Sequence, residues 1–343
     1  RTIVAKGAVL TLAAGNARFL SRTLENNGTA SYSGGTLTLS DGALLNAGEF
    51  NLSAAAGVMN GGGANIFSNR GSLELVVAGV VVLAVPVSNT GSLTARTGGV
   101  AFSGGIAELA NGTLSAGRWV SHPGAPIDFG PGAAVVIIGP GATVELDGRG
   151  SVFAALFSLE QNQGVLRLVN GAELTGDSLI NSGAIELDAG SVLSLSSSFV
   201  QPASGELYLG VAGNSPGSFG RITAGTDAVL GGTLSVAYLD GYTPSQGQSY
   251  SVITAPSVNG AFTTLHLPDH EPSGFLESRI VYRNGSVDLL FTSLADVDSN
   301  GIVNSQDFFN FLVGFFEGQS DFNHDGVTNS QDFFAFLVAF FRS

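Results

Sequence analysis

The feature that most constrains the fold is a short signature, Asn-x-Gly-x-apolar. It appears as NAGEF at Asn46, NRGSL at Asn69, NTGSL at Asn89, NQGVL at Asn162 and NSGAI at Asn181, with looser copies NNGTA at Asn26 and NGTL at Asn111. Successive asparagines are 20, 23, 20, 22, 51 and 19 residues apart. A unit repeating about every 20 residues cannot bury its apolar side alone and points to stacked coils. Between signatures the chain alternates apolar with small polar residues, as in GTLTLSDGALL (residues 35–45) and GAIELDAGSVLSL (residues 183–195). Alternation at period two makes half-buried strands, and the intervening Gly, Asn, Asp and Ser supply turns, including positive φ. Two or three strands rising about 3.3 Å per residue fill one such coil. Stacking would align the asparagines in a ladder, each side-chain amide bonding the next. The expected fold is therefore mainly β, a right-handed parallel β-helix over residues 1–218. A β-sandwich is the alternative, although it requires no fixed period.

Composition agrees with short strands and tight turns. The 49 glycines among 343 residues are about twice the usual share, charged residues at 12% about half of it, and 44% apolar residues supply a core. With 13 Lys and Arg against a net charge of −14, no basic stripe exists for a phosphate backbone, so no nucleic-acid partner is expected. The longest apolar run, residues 75–87, holds Gly79 and Pro86 and falls short of the roughly 20 residues of a membrane helix; no transmembrane segment is expected. There is no cysteine, hence no disulfide and no thiol ligand. A start at Arg1 without a signal segment suits a mature secreted protein or a fragment.

The tail differs from the rest. DVDSNGIVNSQDFFNFLVGFF begins at Asp296 and DFNHDGVTNSQDFFAFLVAFF at Asp321, 25 positions later. Each opens with a twelve-position loop. In the first, Asp296, Asp298, Asn300, Gly301, Ile302, Asn304 and Asp307 hold positions 1, 3, 5, 6, 7, 9 and 12. In the second the same places hold Asp321, Asn323, Asp325, Gly326, Val327, Asn329 and Asp332. This spacing gathers side-chain oxygens, the carbonyls of Ile302 and Val327, and a closing carboxylate around one point, as a hard cation taking six to eight oxygens requires. Two Ca²⁺ ions are expected, one per loop. His324, at position 4 of the second loop, is expected to face solvent.

The pair resembles a dockerin module, or more broadly the tandem dockerin-like, EF-hand-like calcium repeats at the carboxy termini of bacterial secreted proteins, notably those of planctomycetes. The resemblance covers residues 296–341 and rests on D-x-[DN]-x-[DN]-G-x-x-N-x-x-D, with Asp at position 12 where EF-hands carry Glu. It implies a helix after each loop and partner-reading residues at positions 10 and 11, here Ser305, Gln306, Ser330 and Gln331. The helices depart from the pattern: DFFNFLVGFF and DFFAFLVAFF contain no base and hold ten of the 23 phenylalanines. At 100° per residue, Phe308, Phe311, Leu312 and Phe315 share a face, as do Phe333, Phe336, Leu337 and Phe340, and these faces should pack together. Phe309, Val313 and Phe316, with Phe334, Val338 and Phe341, widen the apolar arc and need another surface: the protein's own cap, a partner, or a second copy.

Residues 219–294, with longer strands and a Tyr and Pro turn at 242–244, resemble the carboxy-terminal end of the passenger β-helices of bacterial autotransporter-like surface proteins. That resemblance implies a β-rich cap between the solenoid and a module at residues 295–343.

A search for catalytic groups finds little. Asp128, Asp147, Asp177 and Asp188 are isolated in turn contexts. HLPDHE places His266, Asp269 and His270 together, a metal-binding loop at most, though Pro268 and Pro272 favour a plain polar loop. The expected protein is thus a non-catalytic extracellular or cell-surface structural or adhesion protein. Its calcium tail would mediate attachment to a protein partner or self-association, and a surface polysaccharide is a further candidate partner. The alternatives are a polysaccharide-degrading β-helix anchored by its tail, recognisable by two carboxylates about 5–10 Å apart in a cleft, and a head-to-tail filament subunit.

Overall fold

The computed structural model describes residues 1–343 except 14, 16, 54–56 and 269–274. The chain is half strand and 9% helix, and its body is a β-solenoid. Each coil lays a strand on one face, turns at the signature glycine, and continues along a second and third face. On the first face, strands Thr2–Val4, Thr23–Asn26, Ala43–Asn46, Ile66–Asn69 and Val87–Asn89 pair in parallel. On the second, pairing runs unbroken from Val9–Leu12 to Thr264–His266. Ser72–Leu83 and Ser92–Phe102 run through the corner onto the third face, with register shifts at the bend. Parallel pairing between successive coils rules out the β-sandwich, whose sheets are antiparallel.

The signature's apolar residue is the core. Ala30, Phe50, Leu73, Leu93, Trp119, Val144, Leu166, Ile185, Leu207 and Leu234 stand in consecutive register on the second face, all buried. A second column, Leu24, Leu44, Phe67 and Val87, faces it from the first.

The asparagines form ladders. Asn26 donates to Asn46, Asn46 to Asn69 and Asn69 to Asn89, each at 2.7 Å and fully or almost fully buried. The second N–H of each amide donates to the backbone of the next coil, at the carbonyls of Glu49, Ser72 and Ser92. A second ladder runs from Asn162 to Asn181 and ends on Gln201, which donates to the carbonyls of Gly205, Gly231 and Thr233. Apart from Oδ1 of Asn162, at the head of the second ladder, these buried amides are thereby bonded within the chain.

Two sequence readings are corrected here. Asn111 is exposed and stands outside the ladder: Asn111 (φ 50°) and Gly112 (φ 77°) form the tight turn between the antiparallel pieces Leu109–Ala110 and Thr113–Ser121. The first ladder ends at Asn89, whose side-chain amide donates to the Arg118 carbonyl at 3.3 Å, while the buried carboxylate of Glu108 accepts from Ser88 Oγ (2.7 Å) and from the backbone N–H of Asn89 (2.8 Å). The intervening coils are filled by Phe102, Trp119, Phe129 and Phe153, packed edge to face at 4.8–5.9 Å. The signature glycines, moreover, do not serve positive φ. A Cβ on Gly48, Gly71 or Gly91 would lie 2.1–2.2 Å from the carbonyl oxygen of the signature glycine one coil earlier, so glycine is fixed by the approach of successive coils.

The parallel body also extends beyond residue 218, through strands Arg221–Ala224, Asp227–Leu230, Thr233–Tyr238, Gln248–Thr254, Ser257–Gly260 and Thr264–His266. What closes it is the antiparallel hairpin Leu276–Arg283 and Ser286–Ser293, whose second strand pairs with Gln248–Thr254. Antiparallel pairing covers that edge of the last coils. Behind the hairpin, Tyr250, Tyr242 and Gln248 share a buried hydroxyl network at 2.7–3.0 Å.

Candidate metal centre and helix pair

The hairpin delivers the chain to Asp296 and the first acidic loop, followed by helix α1 (Ser305–Phe316); the second loop is followed by helix α2 (Ser330–Arg342). The two loops repeat one another bond for bond. Position 1 accepts from the amides of positions 5 and 6: Asp296 from Asn300 and Gly301, Asp321 from Asp325 and Gly326, at 2.8–3.1 Å. Position 12 accepts from positions 2, 3 and 9: Asp307 from Val297, Asp298 and Asn304, Asp332 from Phe322, Asn323 and Asn329, at 2.8–3.2 Å. Position 5 accepts from position 7, with Asn300 and Asp325 bonded to the amides of Ile302 and Val327. Positions 4 and 6 lie in the left-handed region in both copies, Ser299 at 55° and Gly301 at 90°, His324 at 59° and Gly326 at 88°. Glycine meets that demand at position 6 without steric cost.

In the first loop, one carboxylate oxygen from each of Asp296, Asp298 and Asp307 lies within 4.8 Å of the others. Two oxygens on one calcium ion, at about 2.3–2.6 Å each, are at most about 5.2 Å apart, so the three fit a single coordination sphere. The second loop has Asn323 at position 3, which also donates to Asp325 at 3.0 Å. Asn304 and Asn329 do more than line the loops. Each is the N-cap of the following helix, accepting from the amide of Gln306 or Gln331 at 2.7 Å, while Asp307 or Asp332 closes a capping box. The N-x-x-D spacing was a legible helix start, and it gives aspartate at position 12 a role of its own. Backbone amides, that of Asn323 first, hold the Asp332 carboxyl below the usual carboxylate range.

The loops differ in anchorage. Asp296 is fully buried and accepts from Thr292 Oγ1 at 2.7 Å, while Arg279 of the hairpin donates to the carbonyl of Asp296 and to Ser299 Oγ. Thr292 and Arg279 were invisible in the loop spacing because they come from the neighbouring strands. Asp321 is half-buried, and His324 beside it is exposed.

The helices pack antiparallel through phenylalanine. Phe311 and Phe336 stack with centroids 4.0 Å apart and planes within 4°, flanked by Phe308 against Phe340 at 5.9 Å and Phe315 against Phe333 at 6.0 Å. The equal flanking distances describe a local twofold axis through the Phe311 and Phe336 pair. The cap meets α2 on another flank, through Ala295, buried with Ala339, through Arg342 over the Phe275 ring at 4.6 Å, and through Ser343 to Ser293. The second stripe stays open: Phe309, Val313 and Phe316 are 59–80% exposed and Phe334, Val338 and Phe341 are 45–79% exposed. The cap does not cover them, which removes it as their docking surface. Ser305, Gln306, Ser330 and Gln331 are exposed at the first turns of the two helices.

On the solenoid, Asp128 and Asp188 hold turns, while Asp147 and Asp177 bond the following coil and Asp147 also lies 3.4 Å from His122 Nδ1. Asp128 accepts from Gly130, Asp147 from Asn170, Asp177 from Ser196 and Asp188 from Ala189. The sequence reading missed an outward row on the second face where register brings charges together: Arg118 to Glu145 at 2.6 Å, Glu145 to Arg167 at 3.2 Å and Arg167 to Glu186 at 3.1 Å. Glu145 and Glu186 are thus bridged by the guanidinium of Arg167. Of HLPDHE, His266 is exposed and 3.3 Å from Ser235 Oγ, and Asp269 and His270 lie outside the described residues. No family model matches the chain, and a search of curated proteins finds no match.

Proposed function

We propose that this chain is a non-catalytic, extracellular or cell-surface structural or adhesion protein in which the solenoid supplies length and the tail supplies attachment. The observation carrying the proposal is the bond-for-bond repetition of the two acidic loops. A solvated acidic turn has no need to reproduce seven hydrogen bonds and two left-handed residues at matching positions. Asp296, Asp298, Asn300, the carbonyl of Ile302 and Asp307 would hold one Ca²⁺. Asp321, Asn323, Asp325, the carbonyl of Val327 and Asp332 would hold the other. Asn304 and Asn329 bracket the ions as helix caps. Calcium would neutralise carboxylates that repel one another when gathered, coupling ion binding to the order of the tail.

The helix pair behind the loops, in the arrangement of the dockerin-like repeats it resembles, would present its open stripe to a protein surface. We read the coil as right-handed, the hand that parallel crossovers overwhelmingly take. A non-catalytic body is supported by the ion-paired row on the second face, where Glu145 and Glu186 are both engaged by Arg167.

The test is calorimetric titration of the full chain with calcium. Two binding events are expected, with Asp307→Asn and Asp332→Asn each abolishing one. No binding at millimolar calcium would sink the metal reading, and release of products from an acidic polysaccharide would sink the non-catalytic one.

A further inference from the structure

We infer that the open stripe of the helix pair is an isologous dimer interface, covered by the same stripe of a second copy. This deepens the reading of the tail as an attachment device by naming the partner, and it rests on that reading.

In an antiparallel helix pair the local twofold axis stands normal to the plane of the two helix axes, so equivalent residues appear on the same side of that plane. Phe309, Val313 and Phe316 of α1 therefore share one side with Phe334, Val338 and Phe341 of α2, their equivalents 25 positions on. By helical periodicity this side is turned away from the flank of Ala339 and Arg342 that meets the cap. The result is one continuous apolar face carrying no charged side chain among its six members. Uncharged Gln306 and Asn310, bonded to each other at 2.9 Å, lie at its edge on α1.

Area and shape favour a second copy. With a phenylalanine presenting on the order of 200 Å², four rings exposed by 59–80% offer roughly 550 Å². The two valines and the rim bring each copy toward the roughly 800 Å² per partner of a standard interface. A face that already has a twofold axis, and no charge to be left unpaired, meets itself without conflict: two helix pairs stacked face to face make a four-helix arrangement with a closed point group. A partner of different surface would have to match two identical stripes at once. The head-to-tail alternative sets the stripe against the solenoid, where the exposed second face carries the Arg118, Glu145, Arg167 and Glu186 row.

The experiment is light scattering behind size exclusion on the full chain at micromolar concentration and physiological salt, with calcium and with chelator. Terbium luminescence, run in parallel, reports the loops independently of mass. A dimer is expected in which Phe316→Glu and Phe341→Glu each weaken association on the order of 30-fold. Both rings are about four-fifths exposed, so the core should survive; far-UV circular dichroism checks this, and Val313→Glu with Val338→Glu provides a second pair. Because the chain has no cysteine, a Val338→Cys variant can be joined only through that position, and a short bismaleimide should link two copies. A monomer at all concentrations, growth beyond the dimer, or a dimer indifferent to the glutamate substitutions would each overturn the inference. If terbium still binds in any of these cases, the calcium reading stands while this one falls.

Discussion

Asn69 lies in the middle of the first ladder, and replacing it with alanine tests whether the ladder stabilises the solenoid or merely decorates it. The substitution removes a bond accepted from Asn46 and two donated to Asn89 Oδ1 and the Ser92 carbonyl. At about 1 kcal/mol net per bond these amount to about 3 kcal/mol, and the buried Asn89 Oδ1 left without a donor adds about 1–3 kcal/mol. A loss of about 4–6 kcal/mol is expected. Asn162 is the internal control. It heads the second ladder, its upstream neighbour in register is Ile138, and its buried Oδ1 has no partner among the described residues. Asn162→Ala loses two donated bonds and orphans Asn181 Oδ1, but it also removes an acceptor that was already unsatisfied. Its net cost is about 2 kcal/mol. Coils of a solenoid need not unfold as one unit. Urea unfolding should therefore be read with hydrogen exchange, in which Asn69→Ala exposes the amides of Ala43–Asn46 and Val87–Asn89 and Asn162→Ala those of Leu179–Asn181. Equal losses for the two variants, or a loss below about 1 kcal/mol for Asn69→Ala, would refute the reasoning and leave the packed columns as the sole source of order.

Three further outcomes follow from the same geometry. Gly71→Ala sets a Cβ 2.1 Å from the Gly48 carbonyl oxygen, with backbone that cannot yield, and should cost at least about 2 kcal/mol, whereas Gly79→Ala meets nothing within 4 Å and should change stability by no more than about 0.5 kcal/mol; chemical denaturation of both compares them. Burial, then the Tyr242 hydroxyl, pushes Tyr250 up, so the folded state holds that proton more tightly than the unfolded chain. Its contribution is complete below about pH 10 and lost as the pH rises above that, and Tyr250→Phe should flatten the alkaline fall in melting temperature. Asp332 is shifted the other way, so its contribution is present above about pH 4 and lost as pH falls; α2 should lose ellipticity in acid, and Asp332→Asn should remove that dependence.

The sequence made the solenoid legible because its determinants are local and repeated. The fifth signature residue is the core column, and the first is the ladder. What it concealed depends on register between coils. Asn111 opens a looser copy of the signature, but its neighbours fold back as a hairpin, and the Asn89 side chain ends the ladder on the Arg118 carbonyl while Glu108, which no pattern singled out, accepts its backbone N–H. The glycine after each asparagine looked like a turn residue, yet it is fixed by a carbonyl some 20 residues away. The row of Arg118, Glu145, Arg167 and Glu186 spans four coils and has no counterpart in linear spacing. The boundary at residue 218 moved for a related reason. Longer strands after Phe219 signalled a change of structure, but pairing direction, which decides where the parallel body ends, is not written in any single strand. The internal bonds of the acidic loops fall within twelve contiguous residues and so follow their spacing, whereas Thr292 and Arg279, which anchor the first loop, come from other strands.

The asymmetry between the two loops bears on how the tail works. Both share one internal bond layout, but only the first is tied to the hairpin, through Thr292 and Arg279. Its position-1 carboxylate is already oriented by a strand, so the conformational cost of assembling the proposed first ion site would be met by the fold of the cap. The second loop has no such strand beneath it, and its carboxylates are ordered chiefly by their own backbone and by the capping box of α2. The first helix is therefore fixed to the solenoid, and the second is fixed to the first through the stacked phenylalanines and to the cap through Arg342 and Ser343. A load applied to the open stripe reaches the body of the protein by two routes, one through the strand that ends in Asp296 and one through the end of α2. Loosening the second loop would leave α2 held by the phenylalanine stack and by the cap contacts of Arg342 and Ser343.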